Sequence, residues 1–108
     1  MVGSPPGGPS DFLARMLADA IGPGMGQNFI VENKPGASTI IGTDMLAKAP
    51  PDGYTLVLAT VGPIAINPSL YAKMPYDPVK DLVPLTMAGN IFNVLIVHPA
   101  LAAKNVTA

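Results

Sequence analysis

The stretch Tyr54-Thr55-Leu56-Val57-Leu58-Ala59 decides the fold, because it is a nearly unbroken apolar run that follows the turn residues Pro50-Pro51-Asp52-Gly53. A strand that is covered on both faces has this pattern, whereas a strand with one wet face alternates between apolar and polar residues. Strands covered on both faces belong to parallel sheets that lie between helices. We therefore expect an α/β fold with a mostly parallel sheet flanked by helices.

Two helices are predicted upstream of this run. Ser10 can cap the first helix, whose apolar residues recur at helical spacing until Gly22-Pro23-Gly24 ends it. Ser38 is the expected cap of the second helix, which runs to about Lys48. The residues predicted to face inward in the second helix are Ile41, Met45 and Leu46. Gly42 weakens this helix unless close packing requires a residue without a side chain.

Further strands are predicted on both sides of the apolar run. Phe29–Glu32 precedes the run, and residues 82–87 and 93–97 follow it, with Pro84 moving the first of these towards an edge. Between them, residues 60–71 form a loop, marked by Gly and Pro, that can hold a short helix. The helix of an α/β unit normally follows a strand, but no strand pattern precedes the first helix. We expect the first strand of the sheet to be missing.

Composition narrows the classes of function. The chain has 108 residues, of which 49% are hydrophobic and 12% charged, as expected for one small globular domain. The net charge is −1 and the basic residues are dispersed, so the main energetic term for nucleic-acid binding is absent. With no cysteine, one histidine and no P-loop or dinucleotide fingerprint, the sequence predicts no metal and no cofactor.

The sequence carries little information about location. No apolar stretch approaches the roughly 18 residues of a membrane span. The first residues, Met1-Val2-Gly3-Ser4, contain neither the basic nor the apolar part of a secretory signal. A chain whose native start is Met1 is therefore expected to be cytoplasmic.

The loop before the first helix is the first candidate binding site. Gly7 and Gly8 have no Cβ, so the backbone there can approach a ligand closely. Ser10 and Asp11 follow in the first turn, where free N–H groups and the helix dipole favour an anion. A carboxylate is the simplest occupant, and Asp11 could accept a hydrogen bond from a ligand hydroxyl or amine. The alternative is an ordinary glycine-rich helix entry capped by Ser10 or Asp11.

The second candidate is the loop from Thr60 to Pro68, which follows the best strand at its carboxyl end. Ligands of open α/β sheets bind outside the carboxyl ends of the strands, at the edge where the first loop is also expected. The alternative is a surface connection in which Asn67 and Pro68 only shape a turn.

An enzymatic reading uses His98, the single imidazole, with a nearby serine as a minimal esterase. No G-x-S-x-G elbow is present, and a cap or a turn explains each of Ser10, Ser38 and Ser69. His98 itself ends an apolar run before Pro99, where the end of a strand is the simpler explanation. We therefore expect the chain not to be an enzyme.

Several blocks of the sequence together resemble a known family of receptors. The blocks are Pro6-Gly7-Gly8-Pro9-Ser10-Asp11 with Leu13-Ala14-Arg15, then Val31-Glu32-Asn33-Lys34-Pro35-Gly36-Ala37, then Ala47-Lys48-Ala49-Pro50-Pro51-Asp52-Gly53-Tyr54-Thr55-Leu56, and finally Ile66-Asn67-Pro68-Ser69-Leu70-Tyr71. In this order they resemble the Bug family, the extracytoplasmic substrate-binding receptors of tripartite tricarboxylate transporters, of which TctC is the founding type.

This resemblance implies a periplasmic receptor of two α/β lobes that closes on a small carboxylate and works with two membrane subunits of a transporter. The resemblance implies that the ligand carboxylate binds to the first loop. It also implies that the loop after the third family strand adds polar and backbone contacts. The implied ligand-binding residues are Gly7, Gly8, Ser10, Asp11, Thr60, Gly62, Ala65 and Asn67.

Family members are about three times as long, so the chain is expected to be a fragment that covers part of the N-terminal lobe. Residues 1–4 are interpreted as the start of the chain or a vector-derived remnant, 5–98 as the core of the lobe, and 99–108 as the start of a crossover towards a second lobe. The alternative is a truncated lobe without useful ligand affinity, which forms a homo-oligomer through an unpaired sheet edge.

Overall fold

The computed structural model describes residues 1–92 and 94–101 of the chain. Helix α1 spans Pro9–Met25 and helix α2 spans Ile40–Ala47, with a 3-10 turn at Ala37–Thr39 directly before α2. A π-helical turn at Gly62–Ile66 continues into the short helix α3 at Asn67–Leu70, so the second candidate loop does hold a short helix. Among the helices of these residues, none combines the length and the apolar character needed to cross a bilayer.

Helix α1 begins two residues earlier than predicted. Its N-cap is Gly8, and Pro9 is the first helical residue, so the prediction of Ser10 as the cap was wrong. Proline suits this position because the N–H that it lacks would have no partner inside the helix. Asp11 lies in the first turn, where it faces the positive end of the helix dipole.

The other end of α1 lies beyond the predicted stop at Gly22-Pro23-Gly24. The helix continues through Pro23 to Met25 and closes on Gly26, which has the left-handed φ of 63°. Proline disfavours helical geometry in the preceding residue by crowding its Cβ, and Gly22 has no Cβ to crowd. The stop therefore moves to Gly26, whose N–H reaches the Pro23 carbonyl at 3.3 Å.

Helix α2 is docked through Ile40 and two small residues, and not through the large residues predicted to face inward at positions 41 and 45. Gly42 and Thr43 are buried, whereas Ile41 and Met45 are 46% and 41% exposed, so their predicted inward orientation was wrong. A Cβ added to Gly42 would lie 3.1 Å from the Gly3 Cα, which shows how closely the two backbones approach. This close approach is the packing reason for glycine in α2.

The predicted sheet is reduced, in residues 1–92 and 94–101, to two isolated parallel bridges that both involve Val2. On one side the Val2 N–H donates to the Glu32 carbonyl at 2.8 Å, and the Lys34 N–H donates to the Val2 carbonyl at 2.8 Å. On the other side the Leu58 N–H donates to the Met1 carbonyl at 3.0 Å. Val2 is buried between the two segments.

The expectation of regular strands was wrong for the described parts of residues 29–32, 54–59, 82–87 and 93–97. A ladder needs consecutive residue pairs, and between the segments that end near residues 33 and 58 only Met1 and Val2 supply pairing groups. The expectation that no strand precedes Pro5 is modified, because these two residues lie in the central position of a parallel arrangement.

The chain from Val79 onward packs little against the rest. Val83, Phe92 and Leu95 are more than 80% exposed. The Cα radius of gyration is 17.2 Å, compared with about 13 Å for a compact domain of this length. Position 93, where one predicted strand begins, and residues 102–108 of the predicted crossover lie outside the described residues.

Candidate functional site

A small cavity lies where the N-terminal residues, the turn before α2 and the segment after Leu58 meet. Its volume is about 60 Å³, and it is lined by Gly3, Ser4, Ser10, Thr39, Thr43, Leu58, Ala59, Thr60 and Pro63. Five of these lining residues carry hydroxyl groups, and none carries a charge. The cavity therefore offers neutral hydrogen-bond donors.

Two of the hydroxyl groups have no protein partner. The Oγ of Ser4 and the Oγ1 of Thr39 are buried, and neither forms a hydrogen bond with any of the described residues. Buried hydroxyl groups are normally hydrogen-bonded, either to protein or to water, because leaving them unsatisfied costs free energy. These two hydroxyl groups are therefore unsatisfied polar atoms of residues that line the cavity, and both oxygen atoms are closed to solvent.

The backbone that places Thr39 at the cavity is strained. Ala37, Ser38 and Thr39 have φ angles of 45°, 54° and 70°, a region that β-branched residues such as threonine rarely adopt. Side chains hold this turn from outside: the Asn67 Nδ2 donates to the Ser38 carbonyl at 3.0 Å, and the Ser38 and Tyr71 hydroxyl groups are 3.3 Å apart. Strain of this kind is often found where a residue is held for binding.

The opposite wall is fixed by a buried tyrosine. The Tyr76 hydroxyl donates to the Pro63 carbonyl at 2.9 Å, and Pro63 lines the cavity. Burial raises the pKa of Tyr76, so its hydroxyl stays protonated and remains a donor. Tyr76 thus joins the segment after α3 to the π-helical turn.

The first candidate loop lies next to the cavity. Gly7 has a φ of 81°, and a Cβ added there would meet no atom within 4 Å, so the loop faces open space at this residue. Pro9 has no N–H, and the N–H groups of Ser10 and Asp11 have no partner within α1 because they belong to its first turn. The positive end of the helix dipole and these N–H groups lie on the loop side of the cavity.

The Asp11 carboxylate is already occupied by the protein. It accepts hydrogen bonds from Arg15 Nε at 3.1 Å, from the Gly7 N–H at 2.9 Å and from Asn33 Nδ2 at 2.9 Å. The Arg15 and Gly7 bonds are to Oδ2 and the Asn33 bond is to Oδ1, which also forms a salt bridge of 3.0 Å with Arg15 Nη2. The Arg15 hydrogen bond, followed by those of Gly7 and Asn33, lowers the pKa of Asp11 from 3.8 to about 2. Asp11 is only 4% exposed, so its geometry suits a structural role.

Some of the remaining predicted ligand-binding residues line the cavity, and the others lie outside it. The cavity brings together Ser10 and Thr60, whereas Gly62 opens the π-helical turn beside the lining residue Pro63. Ala65 is exposed, and the buried Asn67 side chain donates to the Ser38 carbonyl. Gly7, Gly8, Asp11, Gly62, Ala65 and Asn67 do not line the cavity.

Sequence reasoning missed Ser4 and Thr39. Neither residue belongs to a Gly-rich loop or to the end of a predicted strand, which were the features used to select candidates. Thr39 lies two residues after the block Lys34-Pro35-Gly36-Ala37, and the pair of hydroxyl residues Ser38-Thr39 that follows this block was the available signal.

The described residues show no support for metal or hydrolytic chemistry. They contain no group of three or more histidine, cysteine or acidic residues that could hold a metal ion. His98 lies in a turn, where its Nδ1 accepts the Ala100 N–H at 3.1 Å.

A family model described as "Tripartite tricarboxylate transporter family receptor", named TctC, matches residues 13–108. The chain belongs to this family. It is 42% identical over 105 residues to protein BugT of Bordetella pertussis, a match that covers 96% of the chain and 32% of BugT. The predicted resemblance is thereby confirmed, and because TctC family members are solute-binding receptors, the esterase alternative is wrong.

Two solved structures are similar to this TctC family chain. One is described as a periplasmic transporter, with a TM-score of 0.70 and 45% identity over 73% of the chain and 27% of the solved protein. The other is R. palustris Rpa4515 with adipate, with a TM-score of 0.67 and 39% identity over 72% of the chain and 26% of that protein. The chain thus spans about a third of the length of BugT and about a quarter of these structures.

Proposed function

We propose that the chain acts as part of a periplasmic solute-binding receptor that captures a small carboxylate for a tripartite tricarboxylate transporter. Membership of the TctC family supports the receptor role, and the adipate in the similar R. palustris structure supports a carboxylate ligand. Two membrane subunits of the transporter are the proposed partners.

The hydroxyl-lined cavity is the observation that carries this proposal. A carboxylate accepts hydrogen bonds, and the cavity-lining residues Ser4 and Thr39 carry buried hydroxyl groups with no partner among the described residues. The cavity-lining residue Ser10 lies in the first turn of α1, at the positive end of the helix dipole. No acidic residue lines it, so no like charge opposes an anion there. Since each water molecule in the liquid occupies roughly 30 Å³, a cavity of about 60 Å³ fits one carboxylate group and not a whole ligand.

The proposed contacts differ by type. Ser4, Ser10, Thr39 and Thr60 donate hydroxyl hydrogens to the carboxylate, and the first-turn N–H groups face it. Gly7 and Gly8 leave room for the rest of the ligand, since a side chain at Gly7 would otherwise occupy open space. Gly62 and Ala65 are proposed to contribute backbone contacts. Asp11 and Asn67 support the two loops through the hydrogen bonds that they already make.

Domain organisation follows the receptor proposal. Residues 5–98 would form most of one lobe, and 99–108 would lead into a crossover towards a second lobe that encloses the ligand. Ligand sites bury most of the ligand surface, so this lobe alone is expected to bind a carboxylate weakly.

Calorimetric titration of the chain tests the proposal. The ligands are adipate, citrate, glutamate and benzoate, which represent dicarboxylates, tricarboxylates, acidic amino acids and aromatic acids. We expect saturable binding of at least one of them, weakened about tenfold in the Thr39→Val variant because one donor to a charged acceptor is lost. Thr86→Val, the same change at an exposed site, should leave the affinity unchanged. Absence of binding by all four would contradict the proposal.

A further inference from the structure

The Asn33 side chain contacts both ends of the first loop. Its Nδ2 donates to the Ser4 carbonyl at 3.1 Å and to the Asp11 Oδ1 at 2.9 Å. Its Oδ1 lies 3.4 Å from the Arg15 Nη2, which donates to it. The neutral side-chain amide of Asn33 thus links Ser4, where the first loop begins, to Asp11 in the first turn of α1.

The backbone around Asn33 is held in the core. The Glu32 carbonyl and the Lys34 N–H both bond to Val2, which is 1% exposed. Asn33 therefore reaches the loop from a fixed position, and its contacts span 29 and 22 residues of sequence to Ser4 and Asp11. The block Val31-Glu32-Asn33-Lys34-Pro35-Gly36-Ala37, which has no role in the proposed ligand contacts, acquires one through this side chain.

One N–H group of the first loop forms a hydrogen bond within the protein. The Gly7 N–H donates to the Asp11 Oδ2 at 2.9 Å, while Asn33 and Arg15 hold the same carboxylate. With Gly7 turned inward, the first-turn N–H groups of Ser10 and Asp11 are the ones left without a partner in α1. The Asp11 carboxylate thereby fixes the orientation of the Gly7 N–H group.

We infer that Asn33 is a positioning residue, which fixes the loop between Ser4 and Asp11 so that the Gly7 N–H points inward and the first-turn N–H groups stay available to an anion. Its effect on ligand affinity rests on the proposed carboxylate function, but its effect on the loop does not. A neutral donor is required at this position, because an acidic residue would put a second negative charge beside Asp11.

The wild-type chain provides the first test, which depends on no variant. We expect the side-chain amide protons of Asn33 to exchange with solvent about tenfold more slowly than those of Asn28, because only Asn33 donates to buried acceptors. Nuclear magnetic resonance measures both rates in one sample. Equal rates would overturn the inference.

Asn33→Asp provides the second test, because it keeps the shape of the side chain and removes the donor. We expect the carboxyl resonance of Asp11 to titrate at a higher pH than in the wild type, and the Gly7 amide resonance to move. Asn28→Asp, the same change at an exposed position, should alter neither signal. If Asn33→Asp leaves both signals at their wild-type positions, the inference is wrong.

Affinity separates this inference from the proposed function. With adipate as the probe, Asn33→Asp should weaken binding at least about tenfold, as expected when a charged group loses a hydrogen bond that organises the site. A wild-type chain that binds no carboxylate would refute the proposed function, while the exchange rates and resonances would still decide the role of Asn33. Normal adipate affinity in a variant with a displaced Gly7 signal would refute the claim that the loop orientation serves binding.

Discussion

Replacing Thr39 and Thr43 by valine, one at a time, separates a hydroxyl group kept for a ligand from one that holds the fold. Both side chains line the cavity, and the same atom is exchanged for a methyl group. The Thr43 Oγ1 donates to the Thr39 carbonyl at 3.1 Å, whereas the Thr39 Oγ1 has no partner among the described residues. Both residue types are β-branched, so the strained φ of 70° at position 39 affects the variant and the wild type alike.

The expected magnitudes differ for these two variants. Thr43→Val loses a protein hydrogen bond, which lowers the free energy of unfolding by about 1 kcal/mol. That corresponds to a decrease of roughly 4 °C in the melting temperature for a domain of this size. Thr39→Val loses no protein hydrogen bond, and we expect a free energy of unfolding within about 0.5 kcal/mol of the wild type.

Urea unfolding followed by circular dichroism measures both free energies, and thermal melts provide a second measurement. Thr86→Val, at an exposed position, controls for the general effect of adding an apolar methyl group. The reasoning is refuted if Thr39→Val destabilises the chain as much as Thr43→Val does, because the Thr39 hydroxyl would then contribute to the fold of the free protein.

Three further predictions concern packing, acid stability and association. Gly42→Ala should destabilise the chain despite alanine's helix propensity, because the new Cβ lies 3.1 Å from the Gly3 Cα. In urea unfolding, the control Gly24→Ala should instead stabilise the chain by roughly 0.5–1 kcal/mol, because its new Cβ meets no atom within 4 Å. Because the pKa of Asp11 is lowered in the folded chain, its carboxylate contributes stability that is complete above pH 3.8 and is lost as the pH falls towards about 2. The melting temperatures of the wild type and Asp11→Asn should therefore converge across that pH range, and a constant difference would contradict the assignment. Light scattering should show self-association that Leu85→Lys reduces, since the segment after residue 79 exposes many large apolar side chains, among them Val83, Leu85 and Phe92. A monomer of 11.1 kDa in the wild type would exclude this.

Local patterns predicted the helical part of the fold well and its boundaries less well. The periodic apolar residues located α1, because amphipathic spacing is a property of consecutive residues. The end of α1 was misplaced because Gly22, which was taken as a stop signal, also removes the Cβ that makes the position before proline unfavourable. The inner face of α2 was misassigned because hydrophobicity outweighed size, whereas contact between α2 and Gly3 selects small residues.

The sheet was predicted from runs of residues that can form strands, but pairing depends on a partner elsewhere in the chain. Tyr54–Ala59 and Phe29–Glu32 have the composition of strands, yet among the described residues the backbone of each segment pairs only with Met1 or Val2. A strand pattern specifies which faces of a segment are apolar and leaves open how many neighbours the segment has. The parallel direction of the pairing was predicted correctly. The extent of the pairing could not be predicted, because it does not depend on these segments alone.

The candidate site shows the same division between local and distant information. Ser10 was found because helix entries have a recognisable sequence, and Thr60 because it follows an apolar run. Asp11 was predicted from the same pattern as a group that a ligand could contact, but three protein donors already hold its carboxylate. Those donors come from positions 7, 15 and 33, and only the first two lie near enough in sequence to be guessed from helix spacing.

Asn33 and Thr39, which were not predicted as site residues, belong to one continuous segment. Asn33 supports the loop from behind, and six residues later Thr39 presents a hydroxyl group to the cavity in front of it. Between them lie Gly36, Ala37 and Ser38, whose φ angles of 131°, 45° and 54° are all positive. One segment therefore supplies both a support of the first loop, at Asn33, and a residue that lines the cavity, at Thr39.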